Sequence, residues 1–254
     1  MTMVMNEIVL GDCFDVMMGL PAKSVNLIAT DLPYGVTQNK WDKSLDFVKM
    51  WELVDYVLTD NGSFITTSVQ PFTSLLVCSN MTWYKDEIIW HKTQATGSLN
   101  CKIQPMNEHE NILIFSKGKT CYNPQIVPKE KDNIRPLSRR SLSDNYGKFN
   151  LESERTIPLD MTYPRSVVKF SNRNNGSFHP TQKPVELFEY IIKTYSDPND
   201  VVLDPTCGSG TTCIAAHNTG RRFIGIEQNE GYYKIACKRL SDVQSQLRFN
   251  EMVG

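Results

Sequence analysis

A turn with two glycines follows a short apolar segment late in the chain. Residues 201–210 read Val-Val-Leu-Asp-Pro-Thr-Cys-Gly-Ser-Gly, which is typical of a strand, a turn and the start of a helix. Gly208 and Gly210 would let the backbone approach a ligand at the carboxyl edge of an open α/β sheet, where such sheets bind nucleotides. Glu227 lies 17 residues after Gly210, and its carboxylate could accept both hydroxyls of a ribose. The pattern predicts a site for an adenosine-containing cofactor.

The turn lacks the features of the two common diphosphate-binding motifs. A dinucleotide fingerprint has a third glycine where this turn continues to Cys213, and a P-loop has a Gly-Lys-Ser/Thr sequence that the turn does not contain. An adenosine cofactor without a diphosphate fits better, and S-adenosylmethionine is the cofactor that this reasoning predicts. A nicotinamide-dependent dehydrogenase is an alternative that Cys213 disfavours.

A second polar segment, Asp31-Leu32-Pro33-Tyr34, directly follows the apolar residues 24–30. A carboxylate and a main-chain carbonyl at a strand end can accept two hydrogen bonds from an exocyclic amine, and an aromatic ring can stack on the base that carries it. Enzymes that modify a base in duplex DNA must take it out of the stack into a pocket of this kind. The segment therefore predicts a pocket for a flipped-out base.

The elements that must position these two segments alternate along the chain. The patterns predict strands at residues 24–30, 63–67, 87–90, 111–115, 201–203 and 223–226, and helices at 45–58, 184–194, 211–218 and 231–240. Strands alternating with helices favour a mainly parallel sheet with right-handed crossovers.

Residues 117–178 lack this periodicity and are rich in Pro, Asn, Ser, Lys and Arg. Between residues 117 and 150 there are eight basic and three acidic residues, so this stretch carries a net charge of +5 and the remainder −6, although the whole chain carries −1. A local positive surplus suits contacts with phosphates. The predicted DNA-binding residues are Lys129, Lys131, Arg135, Arg139 and Arg140.

Composition limits the class of protein. The near-zero net charge argues against a protein that coats nucleic acid over its whole surface, and the 254 residues, 40% of them hydrophobic, fit a globular protein with a buried core. Seven scattered cysteines without a Cys-x-x-Cys pair favour a reduced, cytoplasmic compartment and give no indication of a metal site. We expect no signal peptide and no membrane contact, since no run approaches the ~18 apolar residues of a membrane span.

The two motifs, in this order, resemble those of β-class DNA amino-methyltransferases, in which D-P-P-Y precedes F-x-G-x-G. Further segments that resemble the family lie at residues 11–15, 109–117, 179–184 and 222–233. Only residues 118–165 fall outside the resemblance. Two positions depart from the family pattern: Leu32 stands where D-P-P-Y has its first proline, and Thr206 stands where F-x-G-x-G has phenylalanine.

The resemblance implies an α/β, circularly permuted Rossmann-like methyltransferase fold. Its mainly parallel seven-stranded sheet would be flanked by helices, with residues 1–254 forming one catalytic domain and residues 117–178 an irregular target-recognition insert. The implied catalytic residues are Asp31, Leu32, Pro33 and Tyr34. The implied cofactor-binding residues are Asp12, Cys13, Asp31, Thr181, Lys183, Asp204, Pro205, Cys207, Gly208, Gly210, Thr211, Thr212 and Glu227.

The activity that the resemblance implies is site-specific transfer of the methyl group of S-adenosylmethionine to the N6 of a flipped-out adenine in double-stranded DNA. In the family, D-P-P-Y accompanies mostly N6 of adenine, and S-P-P-Y accompanies N4 of cytosine. Three alternatives stay open: an N4-cytosine enzyme, an RNA-directed enzyme of the same build, and a non-catalytic DNA-binding subunit. A homodimer, a cognate restriction endonuclease as partner, and association with the nucleoid also stay open.

Overall fold

The computed structural model describes residues 5–33, 46–129, 157–173 and 182–253, with side chains as far as residue 246. The strands are β1 (Glu7–Leu10), β2 (Val25–Thr30), β3 (Leu58–Ser68), β4 (Tyr84–Thr96), β5 (Asn107–Ser116), β6 (Val127–Pro128), β7 (Met161–Thr162), β8 (Val167–Phe170), β9 (Val201–Asp204) and β10 (Arg222–Glu227). The helices are α1 (Cys13–Met18), α2 (Phe47–Val57), α3 (Phe72–Ser79), α4 (Val185–Tyr195), α5 (Thr211–Asn218) and α6 (Glu230–Val253).

A single large sheet has the strand order β1-β10-β9-β2-β3-β5-β4-β8. The strands β1, β10, β9, β2 and β3 are parallel to one another, and β5 is antiparallel to both β3 and β4. The α/β class and the mainly parallel sheet are confirmed. The central pairing is that of β2 with β9, where Leu27 lies opposite Val202 and Ile28 opposite Leu203. This pairing brings the carboxyl ends of two strands far apart in sequence to the same edge.

The sheet of the described residues has eight strands, so the prediction of seven was wrong. Two of the eight strands, β1 and β8, are not among the six that the sequence patterns predict. β8 pairs with β4 at one edge and lies in the interval predicted to be irregular. The Trp90 indole donates to the Phe170 carbonyl at 3.0 Å, and the Ile89 main-chain N–H donates to the Ser166 carbonyl at 2.7 Å. Because β8 has only four residues in a polar interval, its pairing with β4, and not its own pattern, makes it a strand.

The core consists of two layers, one on each face of the sheet. Leu27 and Ala29 of β2 pack with residues of α4, α5 and α6, whereas Ile28 packs with residues of α1, α2 and α3. All three side chains are fully buried. Parallel strands covered by helices on both faces read as continuous apolar runs, which is why residues 24–30 showed no alternation.

Helix α6 continues past its predicted end at residue 240 to Val253.

Residues Pro124–Arg165 form a compact unit of their own, and residues Met1–Asn123 together with Ser166–Gly254 form the other. The described part of the smaller unit contains the antiparallel pair of β6 and β7. The Lys129 ammonium donates to the Leu159 carbonyl at 2.7 Å, and its main-chain N–H donates to the Asp160 carbonyl at 2.6 Å. The other four predicted DNA-binding residues lie outside the described residues.

Over the described part of the chain, no helix is long and apolar enough to span a membrane.

Candidate active site

Asp31 lies directly after β2, at the carboxyl edge of the sheet. One oxygen of its carboxylate accepts a short hydrogen bond from the Thr67 hydroxyl, and the other lies 3.1 Å from the Lys183 ammonium. Its main-chain carbonyl accepts a hydrogen bond from the Thr206 hydroxyl at 3.2 Å. About a quarter of the Asp31 side chain remains exposed (26%). The carboxylate is thus held in place while part of it stays open to a ligand.

Leu32 occupies the position where the family pattern has its first proline, and its side chain is buried in the layer formed with α1, α2 and α3. An apolar side chain fixed in the core limits the movement of the loop, which is the role that a proline would otherwise have. Pro33 is half-buried beside it. Tyr34, the fourth predicted catalytic residue, lies outside the described residues.

The glycine turn has the backbone conformation that its sequence predicts. Gly208 and Gly210 have φ angles of +53° and +81°, in the left-handed region that favours glycine. The Gly208 N–H donates to one oxygen of Glu227 at 2.9 Å, and the Asn229 N–H donates to the other at 2.7 Å. Each Glu227 oxygen retains a lone pair for a further donor. The predicted acceptor of ribose hydroxyls is therefore fixed beside the turn.

Two carboxyl groups of this region are buried, and burial raises the pKa of both. The pKa of Asp204 rises to about 6 because the group is buried, although hydrogen bonds from Thr212, Thr30 and the Thr206 N–H act in the opposite direction. Burial also raises the pKa of Glu227, against the effect of the N–H groups of Asn229 and Gly208. Buried acids disfavour their charged forms, and a cationic ligand nearby would oppose this effect.

The first predicted cofactor-binding pair, Asp12 and Cys13, lies close to Glu227. Leu10 of β1 lies opposite Glu227 of β10, and the Gly11 N–H donates to the Glu227 carbonyl at 3.0 Å. The Asp12 side chain is the N-cap of α1 and accepts from the Phe14 N–H at 2.9 Å. Burial, with the Asp12 charge, raises the pKa of the Cys13 thiol to about 11. The Cys13 side chain is partly buried against the core layer that contains α1, α2 and α3.

The remaining predicted residues divide into two groups. Pro205, Cys207, Thr211 and Thr212 are buried around the turn, and the Thr211 hydroxyl has no hydrogen-bond partner among the described residues. The Lys183 ammonium lies 3.1 Å from a carboxylate oxygen of Asp31 and 3.1 Å from one of Glu110. Thr181 lies outside the described residues. In the described ranges, no cluster of three or more His, Cys, Asp or Glu residues could hold a metal ion.

Sequence reasoning missed three threonines and one lysine of this region. Thr30 is the last residue of β2, and Thr67 is the next-to-last residue of the neighbouring strand β3. Thr206 was noted only as a missing phenylalanine, yet each of the three bonds to Asp31 or to a residue that contacts it. Lys92 in β4 is buried 3.4 Å from Glu110. Polar residues at the ends of otherwise apolar strands were the signal that could have identified the threonines.

The sequence matches the DNA methylase family of N6 and N4 methyltransferases over residues 25–238. It is 31% identical to the Type II methyltransferase M1.MboII of Moraxella bovis over 265 residues, which cover 96% of this chain and 98% of that protein. It is 32% identical to the DNA adenine methyltransferase YhdJ of Escherichia coli K12 over 263 residues, which cover 96% of this chain and 85% of that protein.

Solved structures show the same likeness. The M1.HpyAVI–SAM complex is 26% identical with a TM-score of 0.61, and the match covers 92% of this chain and 98% of that one. The cytosine-N4-specific PvuII DNA methyltransferase is 15% identical with a TM-score of 0.64, covering 94% and 91% of the two chains, a likeness of fold alone. Since the family match spans most of the sequence, the chain belongs to the DNA methylase family of N6 and N4 amino-methyltransferases.

Proposed function

We propose that this chain transfers the methyl group of S-adenosylmethionine to the N6 amino group of adenine at a specific site in double-stranded DNA. The observation that carries the proposal is the partly exposed carboxylate of Asp31. It is fixed between Thr67 and Lys183, at the same edge of the sheet as the glycine turn. The family supports an amino group in DNA as the acceptor. The choice of adenine rests on the aspartate of the D-L-P-Y segment and on the adenine-methylating relative.

The residues around the turn fit the cofactor. No described atom lies within 4 Å of the position that a Gly208 side chain would take, so the turn offers space for a ligand. Glu227 would accept the ribose hydroxyls, and the unpartnered buried hydroxyl of Thr211 is available to the amino-acid end. Buried Asp204 and Glu227 would favour a ligand with positive charge. We propose Asp12, Pro205, Cys207, Gly210 and Thr212 as the surrounding wall.

S-adenosylmethionine supplies a methyl group activated by a positively charged sulfur. The chain then has to hold the amine in line with that methyl group and exclude water. Asp31 and the Leu32 carbonyl would each accept a hydrogen bond from the amine, directing its lone pair at the methyl group. The same acceptors would stabilise the positive charge that develops on nitrogen. Tyr34 would stack on the flipped base. Transfer would leave the cofactor as S-adenosylhomocysteine, and the methylated nitrogen would then release one proton to solvent.

We assign DNA contacts to the predicted recognition insert, residues 117–178, within one catalytic domain. Its net positive charge suits phosphate contacts, and Lys129, Lys131, Arg135, Arg139 and Arg140 would provide them. The Type II names of two relatives support a role in restriction–modification, with a cognate endonuclease acting at the same sequence. A homodimer stays a prediction from the resemblance.

The experiment is methylation of a mixed DNA substrate with cofactor labelled in the methyl group, followed by nucleoside analysis and sequencing for the modified base. We expect N6-methyladenine at one recurring sequence. N4-methylcytosine would transfer the assignment to the cytosine branch of the family, and label found only in RNA would overturn the DNA assignment. Binding of the cofactor without any transfer would favour a non-catalytic subunit.

Asp31→Ala is the matched variant for this assay. Removing the carboxylate should abolish transfer, because the amine loses an acceptor that orients it, whereas binding of S-adenosylmethionine, measured by calorimetry, should stay within about threefold of wild type since the glycine turn is intact. A variant that methylates DNA at a rate near wild type would show that Asp31 does not hold the amine.

A further inference from the structure

Four charged side chains form a continuous row that ends at Asp31. The Lys183 ammonium lies 3.1 Å from Asp31 Oδ2 and 3.1 Å from Glu110 Oε2. The other Glu110 oxygen lies 3.4 Å from the Lys92 ammonium, which also donates to the Thr96 hydroxyl at 3.1 Å. The row therefore alternates in charge, from Lys92 through Glu110 and Lys183 to Asp31. Its two cations and two anions balance.

The exposed fractions of these side chains show that the row is enclosed at Lys92 and open to solvent at Asp31. Lys92 is 4% exposed, Lys183 9% and Glu110 13%, whereas Asp31 at the end is 26% exposed. Buried charges are costly unless they are paired, and removal of one partner leaves the other uncompensated. Three enclosed charges thus hold the fourth at the opening. The enclosed members come from β4, β5 and the segment before α4, so the row joins three parts of the chain to Asp31.

We propose that Lys183 is a positioning residue for Asp31, held in place by Glu110 and, through it, by Lys92. This inference rests on the proposed function, in which Asp31 binds the acceptor amine. It replaces the expectation that Lys183 binds the cofactor, because the ammonium is placed between two carboxylates. With Thr67 on one oxygen and Lys183 on the other, the plane of the Asp31 carboxylate is fixed before the base arrives.

The variant Lys183→Met distinguishes positioning of Asp31 from binding of the cofactor. Loss of the ammonium frees the Asp31 carboxylate to rotate, and misplacement of a reacting group by about 1 Å can cost about 100-fold in rate. We therefore expect kcat at saturating cofactor and DNA to fall by about 10- to 100-fold, with the Kd of S-adenosylmethionine, measured calorimetrically, within about threefold of wild type. A raised Kd for the cofactor with an unchanged kcat would overturn the proposal and restore the cofactor-binding role.

Glu110→Gln provides a second test that needs no change at Lys183. It removes one charge of the row while keeping the shape of the side chain, so Lys183 loses a carboxylate partner. We expect a smaller decrease in kcat than for Lys183→Met, again with the cofactor Kd unchanged. An unchanged kcat would show that Glu110 does not hold Lys183 for the reaction, and this test stands even if Lys183→Met does not fold.

The double variant Lys183→Met/Glu110→Gln shows whether the two residues act in one row. If Glu110 acts only through Lys183, its substitution adds no further loss of kcat in the Lys183→Met background, whereas independent roles would make the two losses multiply. Lys23→Met is the control, since it breaks an exposed ion pair with Asp55 and should leave kcat and the cofactor Kd unchanged. An inactive wild type would overturn the proposed function itself, whereas an active wild type with an equally active Lys183→Met variant would overturn only the positioning role.

Discussion

The hydroxyl oxygens of Thr30 and Thr206 lie 2.8 Å apart. Thr30 ends β2 and Thr206 follows β9, so this contact joins the segment that continues to Asp31 to the segment that continues to the glycine turn. Each threonine makes a second hydrogen bond. The Thr30 hydroxyl donates to an oxygen of Asp204 at 2.8 Å, and the Thr206 hydroxyl donates to the Asp31 carbonyl at 3.2 Å. The threonine that replaces the family's phenylalanine thus couples the two halves of the candidate active site.

Thr206→Val should destabilise the protein and misplace Asp31. The substitution keeps the shape of the side chain but leaves the Asp31 carbonyl without its hydroxyl donor. We expect a loss of about 1–3 kcal/mol in the free energy of unfolding, measured by urea denaturation. Thr206→Ser, which retains the hydroxyl, should keep most of that stability. Equal losses in the two variants would show that packing of the methyl group, and not the hydrogen bond, is what matters.

The raised pKa of Asp204 has a consequence for stability as a function of pH. Thr30 and the Thr206 N–H donate to one oxygen of Asp204, which favours the carboxylate, but burial of the group outweighs these hydrogen bonds. The pKa of Asp204 is about 6 in the folded chain against 3.8 for the ordinary group, so the folded state holds the carboxyl proton more tightly than the unfolded state does.

Wild type should therefore lose stability relative to Asp204→Asn as the pH rises. Below about pH 4 both states hold the proton, and between about pH 4 and pH 6 only the folded state does, so the free energy of unfolding falls over that window by about 3 kcal/mol and then levels off. The measurement is urea unfolding of both proteins, without cofactor, at several pH values. Asp242→Asn, on the exposed side of α6, controls for general charge effects. A constant difference between wild type and Asp204→Asn would contradict the raised pKa.

The local patterns predicted the elements that carry the site, because those elements are defined by their own residues. Strands β9 and β10 are apolar runs that end in Asp204 and Glu227, and Asp31 directly follows the apolar run of β2. The glycine turn needs left-handed residues that only certain sequences tolerate. The strands β1 and β8 were not predicted, because each is short and includes a charged residue, Glu7 in β1 and Lys169 in β8. The determinant of β8 is its pairing partner β4, and not its own sequence.

Contacts between distant segments could not be predicted from local patterns. The Thr30–Thr206 pair spans 176 residues, and Lys183 meets Asp31 and Glu110 only because β2, β3 and β5 are neighbours in the sheet. The resemblance assigned Lys183 to the cofactor by the position of its motif. The structure places its ammonium 3.1 Å from a carboxylate oxygen of each of Asp31 and Glu110, and the motif alone did not predict these contacts.

Gly208→Ala should weaken cofactor binding beyond its effect on folding. Gly208 and Gly220 both have left-handed φ angles, +53° and +72°, and no described atom lies within 4 Å of either added side chain. Both alanine variants should therefore lose about 1 kcal/mol of stability for backbone conformation. Only Gly208→Ala places a methyl group in the space beside the glycine turn that we propose for the cofactor. We therefore expect at least a tenfold increase in the Kd of S-adenosylmethionine, which corresponds to about 1.4 kcal/mol of binding free energy. An equal Kd in both variants would exclude Gly208 from the cofactor site.

Gly210→Ala should be more destabilising than either of those variants, because its added carbon meets a neighbouring helix. A side chain at Gly210, with φ of +81°, would lie 3.0 Å from the Ala236 Cβ in α6. Overpacking of this kind costs about 1–3 kcal/mol, in addition to the conformational cost that Gly220→Ala measures alone. Ala236→Gly removes the nearest contact and leaves the Ala236 Cα at 3.3 Å, so it should be less destabilising in the Gly210→Ala background than in wild type. Urea unfolding of wild type, the two single variants and the double variant gives the coupling free energy between the two positions. Additive losses would show that α6 shifts without cost, so that only the φ angle requires glycine at position 210.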